Sequence, residues 1–236
     1  MVLLPPQFLE WNYYARRNLL QEINILSRKD LSRMFLEFTR HNPVLCTAAL
    51  SENGKIEVNG KVVGCGYVPK REYIQETIKA FREHLKTSDE VYPNVKDDKR
   101  KLREFYERHS DRGRALLLKY IYLERKLAQQ RIDFEKLATI ELAKQIDHSS
   151  KHTWRIVQRN KTACLVFFQP PSVSFEVRGI IEIHVNDDYH EIVNLIHDAY
   201  HYTPPEKRKD RPVYILKVQE VYDNGPSVQA FGRRIA

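Results

Sequence analysis

The chain has 236 residues, 42% of them hydrophobic and 30% charged, enough to bury a core in one domain or in two small ones. No apolar stretch approaches the roughly 20 residues that a bilayer-crossing helix needs, so no membrane association is expected. The net charge of +8 is concentrated in one place: Lys99 to Arg131 holds eleven Lys/Arg against Glu104, Glu107, Asp111 and Glu124. A surplus so local marks an anionic partner for that segment rather than a global property.

The opening Met1-Val-Leu-Leu-Pro-Pro lacks the pattern of a secretory signal. Cys46, Cys65 and Cys164 are far apart, each inside an apolar, strand-like run. They match no metal spacing and no disulfide framework, so buried, inert thiols in a reducing cytoplasm are expected.

In chain order, residues 7–26 read as an amphipathic helix behind Pro5 and Pro6, with Phe8, Trp11, Ala15, Leu19 and Ile23 recurring on one face. A second helix starts near Ser27–Asp30 and stops before Pro43. A strand over Val44–Leu50, a Ser51–Gly54 turn and a second strand over Lys55–Val68 make a hairpin. From Pro69 to about Ile132 the texture is helical, charged and aromatic, with breaks expected around Thr87–Asp98 and Ser110–Gly113. Strand-like sequence then runs to the C-terminus, interrupted by a helix at 188–202 and a short one at 153–159.

The stretch from His148 to His184 carries the most chemistry. A hydroxyl-rich block, His148-Ser149-Ser150-Lys151-His152-Thr153, joins one apolar run to another. A phosphate dianion needs converging donors and compensating charge, and the amides at a helix start supply part of both. Ser150 or Thr153 as the cap of the 153–159 helix leaves those amides available, Lys151 adds a point charge, and Arg155 offers a fork.

The same block, the strand Ala163–Phe168, the run Ser174-Phe-Glu-Val-Arg-Gly-Ile-Ile-Glu-Ile183 and the closing strand Pro212–Val221 resemble the split β-barrel family of flavin-binding proteins related to pyridoxamine 5′-phosphate oxidase. The helix and hairpin at 31–68 fit that family's first strands, whereas the N-terminal helix and 70–132 lie outside the resemblance. The family's hairpin normally brings an Arg-rich phosphate grip; here it reads Lys55-Ile-Glu-Val-Asn-Gly-Lys61, without Arg.

The resemblance implies an α+β fold: an antiparallel, Greek-key split β-barrel from 27–69 and 133–236, an N-terminal helix (1–26) outside it and a basic helical insertion (70–132). It further implies a homodimer that binds FMN, or a deazaflavin or haem in the same groove, and performs redox chemistry on a small, anionic substrate. Ser149, Ser150, Lys151, Thr153 and Arg155, with Lys61 from the hairpin, are the cofactor-binding candidates. The competing class is a non-enzymatic module whose basic insertion, rich in Arg and Lys at 99–114, engages nucleic acid or an acidic protein.

Three further features have ordinary readings. Arg178 sits on a strand face with Glu176, where an ion pair is expected. Trp11, with Tyr13 and Tyr14, packs the N-terminal helix onto the sheet. His190, Asn194, His197 and His201 share one face of the 188–202 helix, opposite Ile192, Val193 and Ala199, and are expected to face water or a partner rather than a metal.

Overall fold

The computed structural model of the chain describes residues 1–22, 31–140, 151–208, 211–229 and 231–236. The chain forms two compact units. One comprises 1–67, 134–183 and 214–236; the other comprises 68–133 and 184–213.

The first unit opens on α1 (Pro6–Leu9), a π-helical turn (Glu10–Tyr14) and α2 (Ala15–Glu22). Pro6 stands in the first turn of α1, where a missing N–H costs nothing. Phe8 is fully buried, edge-on to Phe167 and Phe175 with ring centroids 5.1 and 5.4 Å away. Trp11 lies 5.3 Å from Phe175 and donates its indole N–H to Gln169 at 2.8 Å. Such ring pairs add roughly 0.5–1.5 kcal/mol each beyond their buried area. The N-terminal helix is therefore part of the barrel unit, not an element outside it. The remainder of the expected helix, to residue 26, and the expected start of the next lie outside the described residues.

After α3 (Leu31–Thr39), the hairpin strands are β1 (Val44–Leu50) and β2 (Ile56–Val62). Gly54 supplies the left-handed φ of +74° that the turn requires. The expected strand Lys55–Val68 is in fact two. The Val63 amide bonds to the Pro43 carbonyl, and the short β3 (Cys65–Gly66) pairs instead with β4 (Lys136–Ile140). The rest of the sheet is β5 (Thr162–Gln169), β6 (Val173–His184), β7 (Val213–Asp223) and β8 (Arg233–Arg234).

Among the described residues the sheet has eight strands. They run β2-β1-β5-β6-β7-β4-β3, with β8 on β7, and the pairs β1/β2, β1/β5, β5/β6, β3/β4 and β7/β8 are antiparallel. The α+β, antiparallel split-barrel arrangement expected from the sequence is thus present. Strict alternation sets the inner face: Leu45, Thr47 and Ala49 on β1 and Ala163, Leu165 and Phe167 on β5 are buried. The outer face keeps Leu50, Ile56, Val58, Val62 and Phe168 exposed. Arg178 pairs with Glu176 at 2.6 Å on that face and stacks 4.5 Å from the Tyr222 ring, so the ion-pair reading holds.

The second unit is helical: α4 (Arg71–Val91), α5 (Lys99–Tyr120), α6 (Arg125–Arg131) and α8 (Asp188–Tyr200). Asp98 caps α5, accepting from the Arg100 and Lys101 amides, which explains the break before it. The break expected at Ser110–Gly113 does not occur, and α5 runs straight through. A Cβ on Gly113 would sit 1.7 Å from the Ala199 carbonyl oxygen, so glycine is there to let α8 approach, not to end a helix. Residues 184–213, expected with the barrel, belong to this helical unit.

Its interior is polar as well as apolar. The His84 and His109 rings stack at 4.4 Å. His109 donates Nε2–H to the Asp198 carbonyl at 2.8 Å, which leaves Nδ1 to accept from the Ser88 hydroxyl at 2.7 Å. Burial, with lesser help from nearby His84 and Arg112, lowers His109 to about 4 and also depresses His84. A histidine depressed by folding binds its proton more readily when unfolded, so stability is complete above the unfolded value of about 6.5 and is lost as pH falls toward 4. About 3 kcal/mol is expected to disappear over that window, visible as a falling urea midpoint. Replacing His109 by Gln should flatten the acid limb; an unchanged limb would contradict the assignment.

Candidate functional site

The candidate site is built on α7 (His152–Arg159), which lies on the β1–β2 hairpin. Its C-terminal end is tied down by Arg159, which bonds to Glu57 and donates to the Leu50 carbonyl at 3.1 Å, and by Asn160, which donates to the Ala48 carbonyl at 2.8 Å. The hydrogen bond from Arg159, aided by its charge, holds the Glu57 carboxyl below its usual range. The N-terminal end is fixed by Asn59, whose amide donates to the Thr153 hydroxyl at 3.0 Å.

These anchors set the direction of the helix over the strand. Glu57, Asn59 and Lys61 alternate onto the same face of β2. Glu57 meets the helix end and Asn59 its first turn, so Lys61, roughly 7 Å further along the strand, follows beyond the helix start. Lys151 is the residue immediately before the helix, half-buried. The N-terminal end of α7 therefore has the Thr153 hydroxyl against the strand, Lys151 at the cap position, and Lys61 next along the same face of β2.

Two expectations change. The helix begins at His152 with Lys151 in the cap position and no side-chain cap bond. Thr153 is thus not the cap: it sits in the first turn, buried, because Asn59 draws its hydroxyl toward the sheet. It still has its own proton to donate. Arg155 is two positions on from Thr153, about 200° around the helix. It is exposed and lines an open groove of about 820 Å³ with Trp154, Lys55 and Glu57, on another side of α7. Ser149 and Ser150 lie outside the described residues.

The other features fall as follows. The α8 stripe does not face water: His190, Asn194 and His197 are half-buried and only His201 is exposed. The segment after α8 covers that face, since Asn194 donates to the Arg211 carbonyl at 3.0 Å and Arg211 donates to Asp198, which also accepts from His197. The basic run on α5 is laced with ion pairs, Arg100 and Arg108 with Glu104 and Arg103 with Glu107. One pairing invisible in the sequence is Ser88 with His109, which has the residue types of a nucleophile and base. Both are 0% exposed, so the pair is closed to a substrate.

No family model matches the chain, and no curated protein sequence matches it. Solved structures do. An F420 reductase is 13% identical with a TM-score of 0.34, over 77% of this chain and 90% of that one. A Clostridium acetobutylicum protein related to general stress protein 26 of B. subtilis (pyridoxinephosphate oxidase family) is 10% identical with a TM-score of 0.37, over 89% of this chain and 94% of that one. A pyridoxamine 5′-phosphate oxidase-related, FMN-binding protein of Nostoc punctiforme PCC 73102 is 10% identical with a TM-score of 0.34, over 83% of each chain. Two of these three are described as belonging or related to the pyridoxine or pyridoxamine 5′-phosphate oxidase family.

Proposed function

We propose that this chain is an FMN-binding flavoprotein that acts as an oxidoreductase on a small, anionic substrate. The observation that carries the reading is the N-terminal end of α7. Lys151 stands at its cap, Thr153 in its first turn, and Lys61 follows Asn59 on the strand beneath. Two ammonium groups, a hydroxyl with a proton to give and the first amides of a helix are a donor set suited to a phosphate dianion. The resemblance noted in the sequence assigns the same block to FMN phosphate, with Ser149 and Ser150 beside it.

FMN, when bound, supplies the hydride or electron transfer. The residues of this chain have simpler duties. Lys61, Lys151 and Thr153 hold the phosphate end, and the Asn59–Thr153 bond keeps α7 at a fixed height over the hairpin. In this reading Arg155 and Trp154, which line the groove, meet the anionic substrate rather than the phosphate.

The functional molecule in this reading is a homodimer. Sedimentation equilibrium checks this, and a monomer at micromolar concentration would contradict it.

The cofactor site has a sharper test. Wild-type protein is expected to bind FMN more tightly than riboflavin, which lacks the phosphate. Lys61→Ala and Lys151→Ala should each weaken FMN by about tenfold or more while leaving riboflavin and the unfolding midpoint unchanged. Equal loss for both ligands, or no loss for either, would place the phosphate elsewhere.

A further inference from the structure

The sequence offers three scattered cysteines; the sheet register brings two of them together. Cys46 on β1 lies directly opposite Cys164 on β5. Each alternates with buried neighbours, Leu45 and Thr47 on one strand, Ala163 and Leu165 on the other, so both thiols stand on the outer face and are half-buried. Directly opposed residues of an antiparallel pair have Cα atoms about 4.5–5.5 Å apart. That lies within the roughly 4.4–6.8 Å that a disulfide spans. The two thiols interact directly, and Cys46 is among the groups that hold the Cys164 proton on. The third cysteine has no such neighbour: Cys65 faces Thr139 across β3 and β4.

We propose that Cys46 and Cys164 form a dithiol–disulfide couple across β1 and β5, a site of reversible covalent modification by small disulfides. The inference rests on the strand register and is independent of the flavin reading. The Cys46 thiolate attacks one sulfur of a disulfide RS–SR; the S–S bond breaks, a mixed disulfide forms, and RS⁻ leaves to take up a proton. Cys164 then gives its proton to solvent and attacks the Cys46 sulfur, closing the cross-strand bond and releasing a second RSH. Two protein thiols have lost two electrons and two protons, and RS–SR has become two thiols.

Burial, with Cys46 and Glu176 nearby, raises Cys164 to about 12, so its thiolate is scarce at neutral pH. The closing step therefore quickens with rising pH, and the exposure is carried out at alkaline pH, where it runs to completion.

The test uses hydroxyethyl disulfide, small and uncharged enough to reach a half-buried pair, with the folded full-length chain. After exposure, remaining thiols are alkylated and the protein is weighed and mapped. The expected product has lost two hydrogens, retains one alkylatable thiol at Cys65, and yields a peptide linking Cys46 to Cys164. Cys164→Ser should stop at the mixed disulfide on Cys46, and a reductant should restore all thiols. Three free thiols after exposure would overturn the proposal, as would a stable hydroxyethyl adduct on Cys46 of the wild type. The unfolding midpoint of Cys164→Ser, measured before exposure, separates a misfolded variant from a missing reaction.

Discussion

Gly113→Ala is expected to unfold the helical unit, or to leave it partly folded, at a cost of at least about 3 kcal/mol. The added methyl would lie 1.7 Å from the Ala199 carbonyl oxygen and 2.5 Å from its carbon, with the Tyr200 amide nitrogen 3.2 Å away. All three are backbone atoms, so no side chain can swing aside; α5 and α8 must separate. Separation disrupts more than one contact. It stretches the bond from His109 to the Asp198 carbonyl and the bond from Ser110 to the Tyr200 carbonyl, 2.8 and 3.0 Å long. Polar groups stripped of partners while still buried each cost roughly 1–3 kcal/mol. Urea unfolding followed by far-UV circular dichroism measures the loss. A midpoint within experimental error of the wild type would show that the two helices are not in contact at that glycine. The usual gain from replacing glycine in a helix, about 1 kcal/mol, has the opposite sign, so the outcome discriminates cleanly.

Asp198→Ala is expected to be of similar severity, about 3–5 kcal/mol. Asp198 is 2% exposed and Arg211 7% exposed, and the guanidinium meets the carboxylate through both terminal nitrogens, one contact being 3.0 Å. Removing the carboxylate strips a buried cation of the counter-charge it has among the described residues, and it also takes an acceptor from His197 and from the Thr203 hydroxyl. Burial alone would push the Asp198 carboxyl up. Hydrogen bonds and charge from His197 and Arg211 outweigh that and hold it below the usual range. A carboxyl depressed by folding contributes stability that is present above the unfolded value of about 3.9 and is lost as pH falls through the folded one. The wild type should therefore lose this contribution only in strong acid, below the window in which the buried histidines act. Arg211→Met together with Asp198→Leu should recover much of the loss, because an apolar pair of similar volume has no desolvation to repay. If the single substitution is mild, the pair is more hydrated than its burial implies.

How far the sequence could be read depends on the range of the interaction concerned. The β1–β2 hairpin was legible because alternation and an Asn-Gly turn are local, and β1 falls where that pattern ends, at Val44 and Leu50. The second strand is shorter than its pattern predicts because the break after Val62 is made by Pro43 and by pairing with β4, both distant in sequence. Gly113 looked like punctuation because a glycine inside a helix carries no mark to distinguish a break from a close crossing. The face of α8 bearing His197 looked solvated for a similar reason. Its spacing identifies an apolar face opposite, but nothing local announces that Arg211 folds back over the polar one.

The site shows the same division. That Lys151 and Thr153 belong to the start of a short helix follows from the sequence, and so, from helical spacing alone, does the divergence of Arg155 from Thr153. That Asn59 would hold Thr153, placing Lys61 next in line, could not be seen without the register. The cysteine pair is the clearest case: residues 46 and 164 read as unrelated thiols until β1 and β5 are set side by side.

The central claim is that the end of α7 above the hairpin grasps the phosphate of a flavin. Titration of the purified, cofactor-stripped protein with FMN, followed by quenching of flavin fluorescence, tests it most directly. The account predicts saturable, stoichiometric quenching that inorganic phosphate competes away. Flavin fluorescence that is unaffected by the protein, from a fully folded sample, would contradict it.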